Sequence, residues 1–349
     1  MSIDLFDSVL DVVVVGAGVS GMSTADQLRK LNASEFVVLD ARDCVGGRTY
    51  TVRNPNAHYV DLGGAYVGVT QSHLHRVIRD LGLRTYKVDE SRNILFYDFD
   101  TGFRRTFSHN SNLRIGNWIE NLDLNHFLRR LDEIGETINV REPWNTPNAK
   151  ELDQITYNEF VQKTCWTAKA RRFAKFFINL NVTCEPYEGS LLWFAWYVRQ
   201  CGGIRRIIST TGGGQESKVE GGTMQISELL SKRVGDHKVH LSNPVHRVVY
   251  DQTADQILQA LPSDQRPDLA SKLSNKLGSY CLVQTLSGRI YVCRKVVLAM
   301  PPIMQNKIHF YPPLPPLRNQ LIQRQPMGAV IKFIIYYDQR FWNEQSKFI

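Results

Sequence analysis

The chain has 349 residues, 43% of them hydrophobic and 22% charged, with 14 prolines, the make-up of a folded globular protein and not of a disordered or fibrous one. That length exceeds what one hydrophobic core usually fills, so two domains are expected. The formal charge of +8 comes from dispersed basic residues with only short pairs such as Arg171-Arg172 and Arg205-Arg206, which argues against a nucleic-acid-binding stripe, and no run reaches the roughly 18 apolar residues of a membrane span.

The N-terminus, MSIDLFDSVLD, carries acids and no base, so it lacks the positive start of a secretory signal or transit peptide. Asp11 to Val15 is a β-branched run ending at a glycine and reads as a strand buried on both faces. Small and apolar residues at Gly21, Met22, Ala25 and Leu28 predict a helix over 20–30, and Phe36 to Leu39 predicts a second buried strand closed by Asp40. Strand, helix and strand in this space form a βαβ unit with parallel strands.

From residue 89 to 200 the pattern turns aromatic and amphipathic, with helices expected over 122–138, 157–180 and the Trp-rich LLWFAWYV. A glycine-dense stretch, Thr210 to Gly222, marks the return of the first domain. A helix over 224–233, a strand over 238–241 and a buried strand over 296–300, stopped by Pro301-Pro302, follow. The polar segment from Asp251 to Tyr280 reads as a surface insertion with one amphipathic helix. After PPLPP, Val330 to Tyr337 reads as a last strand. The six cysteines, Cys44, Cys165, Cys184, Cys201, Cys281 and Cys293, show neither CxxC nor disulfide-like spacing, which fits reduced thiols inside a cell, and no metal motif is visible.

The chemistry is concentrated near the start. GAGVSG places Gly16, Gly18 and Gly21 in GxGxxG spacing between the first strand and helix, where glycines permit a tight turn, close approach of a diphosphate and helix–strand packing. Asp40, 19 residues after Gly21, stands where a carboxylate can accept the ribose hydroxyls of an adenosine. Up to this point NAD, NADP and FAD fit equally. CVGGR follows, with Gly46 and Gly47 bringing Arg48 toward the diphosphate, and DLGGAYVG adds a second glycine turn beside Tyr66.

With DVVVVGAGVSGM, VVLDARDCVGGRTYTVRN and YVDLGGAYVG, followed by FVQKTCWTAKARRF, FINLNVTCE, SLLWFAWYVRQCGG, IRRIISTTGGGQE, NPVHRV and LIQRQPMGAVIKF, the chain resembles the monoamine oxidases of the flavin amine oxidase superfamily. Asp40 is a departure, since the family usually has Glu there. The resemblance implies an α/β fold: a discontinuous FAD-binding Rossmann-like domain, residues 1–88 and 212–305, with a mixed α+β substrate domain, residues 89–211 and 306–349. It implies FAD contacts from Gly16, Ala17, Gly18, Val19, Ser20, Gly21, Asp40, Ala41, Arg42, Gly47, Arg48, Gly63, Gly64, Ala65 and Tyr66, with Pro244 and Val245 near the adenine. Leu180, Asn181, Ile207, Ile208 and Gln215 would line the amine cavity, with Ile208 as its gate, and Gln215, Tyr66 and Lys332 would serve the reaction, Lys332 by holding a water at the flavin.

Read without the resemblance, Leu180, Ile207 and Ile208 are ordinary core residues and Gln215 a solvated loop residue. Lys332 differs, because a lone lysine in the apolar strand AVIKFII is costly to bury. Cys165 matches a family cysteine, but packing is its expected role. The implied reaction is FAD-dependent oxidation of primary arylalkylamines by oxygen to aldehyde, ammonia and hydrogen peroxide. A polyamine or amino-acid oxidase, or an inactive FAD-binding fragment, is the alternative. No metal and no nucleic acid take part, and a homodimer is compatible with the family. Family members continue past the Lys332 strand through a flavin-bonding cysteine, a tyrosine cage and a membrane-anchoring tail. The resemblance therefore implies a truncated product, cytoplasmic without its anchor, of a protein otherwise held at the cytosolic face of the mitochondrial outer membrane.

Overall fold

The computed structural model describes residues 4–33, 35–55, 57–90, 94–97, 102, 104–107, 114–261, 266–273 and 278–339. Two compact units emerge. The first comprises Met1–Ala65, Arg76–Arg84 and Glu220–Met327, the second Tyr66–His75, Thr85–Val219 and Gly328–Ile349.

The first unit opens with β1 (Asp4–Val15), α1 (Val19–Lys30) and β2 (Phe36–Leu39), as the β-branched runs and the intervening 3.6-residue periodicity predict. β1 and β2 pair in parallel, Val12 opposite Phe36 through Val15 opposite Leu39, and all these side chains are buried. α1 lays Met22 and Ala25 on the sheet, and its buried Asp26 is held by Arg29 at 3.0 Å and Lys30 at 2.9 Å within the helix. β3 (Thr51–Asn54) and β4 (His58–Asp61) form an antiparallel hairpin.

The second unit contains β5 (Tyr66–Val67), β6 (Thr85–Lys87), the hairpin of β7 (Ile94–Tyr97) and β8 (Arg104–Phe107), and β9 (Ser217–Val219), with β9 central to a small sheet of order β5-β9-β6. α2 (Ser72–Asp80) follows β5 in sequence. Its helices are α3 (Trp118–Thr137), α4 (Ala149–Gln154), α5 (Tyr157–Thr164), α6 (Ala168–Val182), α7 (Leu191–Gln200) and α8 (Ile204–Ile208). They share one core in which Leu124, Phe127, Leu131, Val161, Phe177, Ile178 and Phe194 are buried. Each such side chain contributes about 1.5–3 kcal/mol on leaving water.

The single helix expected over 157–180 is two. Asp123, fully buried on α3, accepts the backbone N–H groups of Trp166 and Thr167 and the Thr167 hydroxyl, and Thr167 in turn caps the N–H of Ala170. A break that satisfies this many donors outweighs continued helix.

The chain then rejoins the first unit through α9 (Gln225–Val234), which packs on α1, and β10 (Val239–His240). β11 (Val245–Gln252), α10 (Ala254–Gln259), α11 (Arg266–Leu273), β12 (Tyr280–Thr285), β13 (Arg289–Leu298), β14 (His309–Tyr311) and α12 (Pro316–Arg324) complete it. The sheet has seven strands in the order β10-β2-β1-β13-β12-β11-β14. β10, β2, β1 and β13 are parallel, while β13, β12 and β11 are antiparallel. The segment expected as a surface insertion with one amphipathic helix carries two helices among its described residues, α10 and α11, and they cover this sheet: Ile257, Leu261, Leu269 and Leu273 are buried against Tyr280, Leu282, Ile290 and Val292. A sheet face must be covered, and these spaced leucines and isoleucine cover it.

The last expected strand is also absent. Residues 330–337 are irregular and pair with no strand among the described residues, and Ile331 and Phe333 are each 80% exposed. A strand pattern becomes a strand only with a ladder partner. Among the described residues no helix is long and apolar enough to cross a membrane.

Candidate functional site

The first unit builds a cradle from three glycine turns. Gly16 ends β1, donates its N–H to the Leu39 carbonyl at 2.7 Å, and has φ +112°, where a Cβ would come within 2.7 Å of the Ala299 carbonyl oxygen. Gly21 touches Gly16, since a Cβ on it would sit 1.8 Å from the Gly16 oxygen. Both are glycine because the protein itself leaves no room.

Gly18 differs. Its backbone is extended, with φ −72° and ψ 179°, and the nearest protein atoms to a Cβ there would be Gly46 O and Gly47 Cα at 3.8 Å, ordinary contact. Among the described residues nothing crowds a Cβ at this position, so the space it leaves is available to a ligand. Gly18 is also the N-cap of α1, with no side-chain cap and no acid in the first turn. The first-turn N–H groups, from Val19 through Gly21, therefore face outward with the positive end of the helix dipole, an arrangement suited to a diphosphate.

The second turn packs on the first. Gly46 donates its N–H to the Ala17 carbonyl at 3.0 Å and forms a parallel bridge with Gly18, and Gly47, at φ +60°, approaches Gly18 Cα. Exposed Arg48 follows, and its carbonyl accepts the Gly64 N–H at 3.0 Å, while Tyr50 O accepts the Gly63 N–H at 2.9 Å. A Cβ on Gly63 would lie 2.2 Å from Arg48 O, so the third turn too is glycine for space. Ala65, buried, closes it.

A buried acid locks this stack. Asp61 accepts the Thr51 hydroxyl at 2.5 Å and the Thr223 N–H at 3.1 Å, and Thr51 Oγ1 accepts the Met224 N–H at 3.1 Å. Sequence reasoning passed over Asp61; the available signal was an acid in the apolar run YVDL immediately before two glycines.

Asp40 stands at the end of β2 and does more than wait for a ribose. Its Oδ2 accepts the Ala17 N–H at 2.6 Å and its Oδ1 the Arg42 N–H at 2.9 Å, and each oxygen keeps a lone pair for a hydroxyl donor. The segment after β10 zips along it: Asp40 N–H donates to His240 O at 3.0 Å, Asn243 N–H to Asp40 O at 2.8 Å, and Ser242 N–H to Arg42 O at 2.7 Å. Pro244 and Val245 are thereby carried beside Asp40. Ala41 and Arg42 are exposed on the same edge, and Arg42 Nη1 donates to the Gly47 carbonyl at 3.0 Å.

The remaining expected site residues belong to the second unit. Leu180, 66% exposed, and Asn181, whose Nδ2 donates to Phe177 O at 2.8 Å, occupy the last turn of α6. Ala329 donates its N–H to Thr183 O at 3.2 Å, which brings the segment carrying Lys332 to that helix end. Ile207 packs on the helical core, whereas Ile208 at the end of α8 is 52% exposed. The glycine loop folds back on α8, Gly214 N–H to Arg206 O at 3.4 Å, and meets Gly68 through Val69 N–H to Gly213 O at 3.4 Å. Exposed Gln215 is on this loop, and Tyr66 pairs with Lys218, whose Nζ lies 4.8 Å above its ring.

Leu180 and Ile208 are thus surface residues of their helices and not core, as their composition alone suggested. Lys332 corrects the other way: it is exposed on an irregular segment, so no burial penalty marks it out. Cys165 is buried, and burial pushes its thiol up to about 12, which fits a packing cysteine.

The model of the family described as flavin containing amine oxidoreductase matches residues 19–348. The chain belongs to this family. It is 45% identical over 338 residues to the dog amine oxidase [flavin-containing] A, covering 96% of this chain and 58% of that one, and 44% identical to the mouse B enzyme, covering 96% and 59%. The chain therefore spans somewhat over half the length of these curated relatives. Among solved structures it is similar to cyclohexylamine oxidase from Brevibacterium oxydans IH-35A, at TM-score 0.76 and 28% identity over 90% of this chain and 63% of that one. A putrescine oxidase shares the fold at TM-score 0.78 and 24% identity, covering 93% and 65%. FAD is the flavin of the family, and the room at Gly18, the uncapped α1 and the two remaining lone pairs of Asp40 fit a flavin dinucleotide.

Proposed function

We propose that the first unit binds FAD with its diphosphate on the N-terminus of α1 and its adenosine ribose on Asp40, and that the protein oxidises primary arylalkylamines. The observation that carries this reading is the room at Gly18, which the protein makes and does not itself use, at the mouth of an uncapped helix. Gly16, Ala17 and Gly18 shape the turn and Val19 to Gly21 supply N–H groups, Gly47 and Arg48 flank the diphosphate with a cation, Gly63, Gly64, Ala65 and Tyr66 lie along the remainder of the cofactor, and Pro244 and Val245 adjoin the adenine. FAD, when bound, supplies the two-electron oxidation of the amine carbon and the reduction of oxygen to hydrogen peroxide.

Leu180, Asn181, Ile207, Ile208 and Gln215 receive the amine. Their apolar and amide side chains favour an uncharged amine with an aromatic or alkyl body, because desolvation favours the neutral base. None of them is a cation to bind the carboxylate of an amino acid or an acid to bind the second ammonium of a polyamine. Gln215 orients the amine, Tyr66 contacts the flavin, and Lys332 holds a water for the oxidative half of the cycle. With water the imine product gives aldehyde and ammonia. The same proposal gives the protein at its natural full length the location that the resemblance implies for the full-length family, the cytosolic face of the mitochondrial outer membrane.

Peroxide release from the protein at its natural full length tests this. Benzylamine and phenethylamine should support turnover well above putrescine or L-phenylalanine. Preference for the diamine or the amino acid would overturn the substrate assignment, and peroxide formation from none of them would overturn the activity.

A further inference from the structure

β12 and β13 run antiparallel with Cys281 directly opposite Cys293. Residues directly opposite one another have Cα atoms about 4.5 Å apart in a non-hydrogen-bonded pair and about 5.5 Å apart in a hydrogen-bonded one, and a disulfide spans about 4.4–6.8 Å. Either kind of pair falls within that reach. Side chains of such a pair also share one face of the sheet. Cys293 is buried in the cluster of Val13, Val248, Val283 and Tyr291, and Cys281, half-buried, packs against the same cluster.

The two thiols are chemically unequal. Facing Cys293 holds the Cys281 thiol down to about 7 against the opposing effect of burial, with the Asp251 backbone and Lys295 assisting and the charge of Asp251 resisting. The same pairing, with burial, pushes Cys293 up. Burial raises Cys44, Cys165, Cys184 and Cys201 as well. The thiolate, which is the nucleophile, is thus concentrated on Cys281, the more accessible member of the pair.

We propose that Cys281 and Cys293 are a peroxide-reactive pair that closes reversibly into a cross-strand disulfide on the main sheet. The Cys281 thiolate attacks one oxygen of hydrogen peroxide, the O–O bond breaks, and Cys281 sulfenic acid and hydroxide, protonated to water, are formed. The Cys293 sulfur then attacks the sulfenic sulfur, the S–O bond breaks, the S–S bond forms and a second water leaves with the Cys293 proton. Two thiols lose two electrons and the peroxide gains them. A dithiol reductant reverses the step.

The cut sites suit a direct test. Trypsin cleaves after Lys276, Arg289 and Arg294, which places Cys281 in the peptide Leu277–Arg289 and Cys293 in Ile290–Arg294. The purified protein is treated with hydrogen peroxide at neutral pH, alkylated, digested without reductant and read by mass spectrometry. The two peptides should appear joined, and should separate after dithiothreitol. Before oxidation, Cys281 should alkylate on the order of tenfold faster than Cys44. Cys281→Ser should abolish the link and leave Cys293 reduced, and Cys293→Ser should leave a Cys281 sulfenic acid that dimedone traps. Recovery of Cys281 as sulfinic acid with Cys293 still a free thiol, both peptides unlinked and reduced, or Cys281 joined to any other cysteine would each overturn the proposal.

Discussion

The carboxylate of Asp40 reaches back across the β1–α1 turn to accept the Ala17 N–H at 2.6 Å, so the acid that would bind the ribose also shapes the loop that would bind the diphosphate. Asp40→Ala removes this acceptor and the one for Arg42 N–H. Orphaning such donors costs about 1–3 kcal/mol, and losing a charge-assisted ribose bond weakens FAD binding by roughly 10- to 100-fold. Urea unfolding and flavin fluorescence titration read the two effects separately. Asp40→Glu should retain binding, because the longer carboxylate still reaches the ribose. FAD affinity unchanged in Asp40→Ala would remove Asp40 from the ribose role.

Gly18 and Gly16 should respond to substitution in opposite ways. Gly18→Val places a β-branched residue on extended backbone with its Cβ in ordinary contact with Gly46 O and Gly47 Cα at 3.8 Å, so stability should change by less than about 0.5 kcal/mol while flavin is lost. Gly16→Ala forces a Cβ onto the Ala299 carbonyl at φ +112° and should destabilise by about 1–3 kcal/mol. Thermal unfolding without cofactor, set beside flavin content, separates a ligand clash from a folding defect. A Gly18→Val protein that keeps its flavin would place the diphosphate elsewhere.

Asp123 carries a purely structural burden. It is fully buried and takes the N–H groups of Trp166 and Thr167, so Asp123→Ala leaves partly buried donors without their acceptor and should destabilise by roughly 1–3 kcal/mol. Chemical denaturation should show it, and the tryptophan-rich second unit gives a fluorescence signal for the transition. A loss within about 0.5 kcal/mol would mean that water replaces the carboxylate at no cost.

His240 gives the first unit a pH dependence. Burial lowers its pKa below 6.5, with Nδ1 2.8 Å from the Tyr291 hydroxyl and Nε2 3.2 Å from the His237 carbonyl oxygen. The folded state favours neutral imidazole and the unfolded chain takes up the proton first. The stabilisation is therefore full above about pH 6.5 and is lost as pH falls through the lower folded value. The urea midpoint should drop between about pH 7 and pH 5, and His240→Gln should flatten that slope. An identical slope in the variant would assign the dependence to other groups.

These residues also show where a sequence is and is not legible. The β1–α1–β2 unit was readable because buried parallel strands, helix periodicity and glycine spacing are all local signals. The cover formed by α10 and α11 was readable only as one amphipathic helix, since Ile257, Leu261, Leu269 and Leu273 are diluted by polar neighbours and only the sheet beneath explains them. Residues 330–337 erred in the other direction: alternating apolar residues announce a strand, but pairing is a non-local property. The carboxylate of Asp40 turning onto Ala17, Asp61 joining Thr51 to Thr223, and Cys281 facing Cys293 all depend on register or side-chain reach, which spacing along the chain does not encode.

The most direct test of the central claim is the visible absorption spectrum of the protein purified in the presence of FAD and freed of unbound cofactor by gel filtration. Binding in the Gly18 cradle predicts an oxidised flavin spectrum at equimolar content. A folded, colourless protein, by circular dichroism and absorbance together, would contradict it.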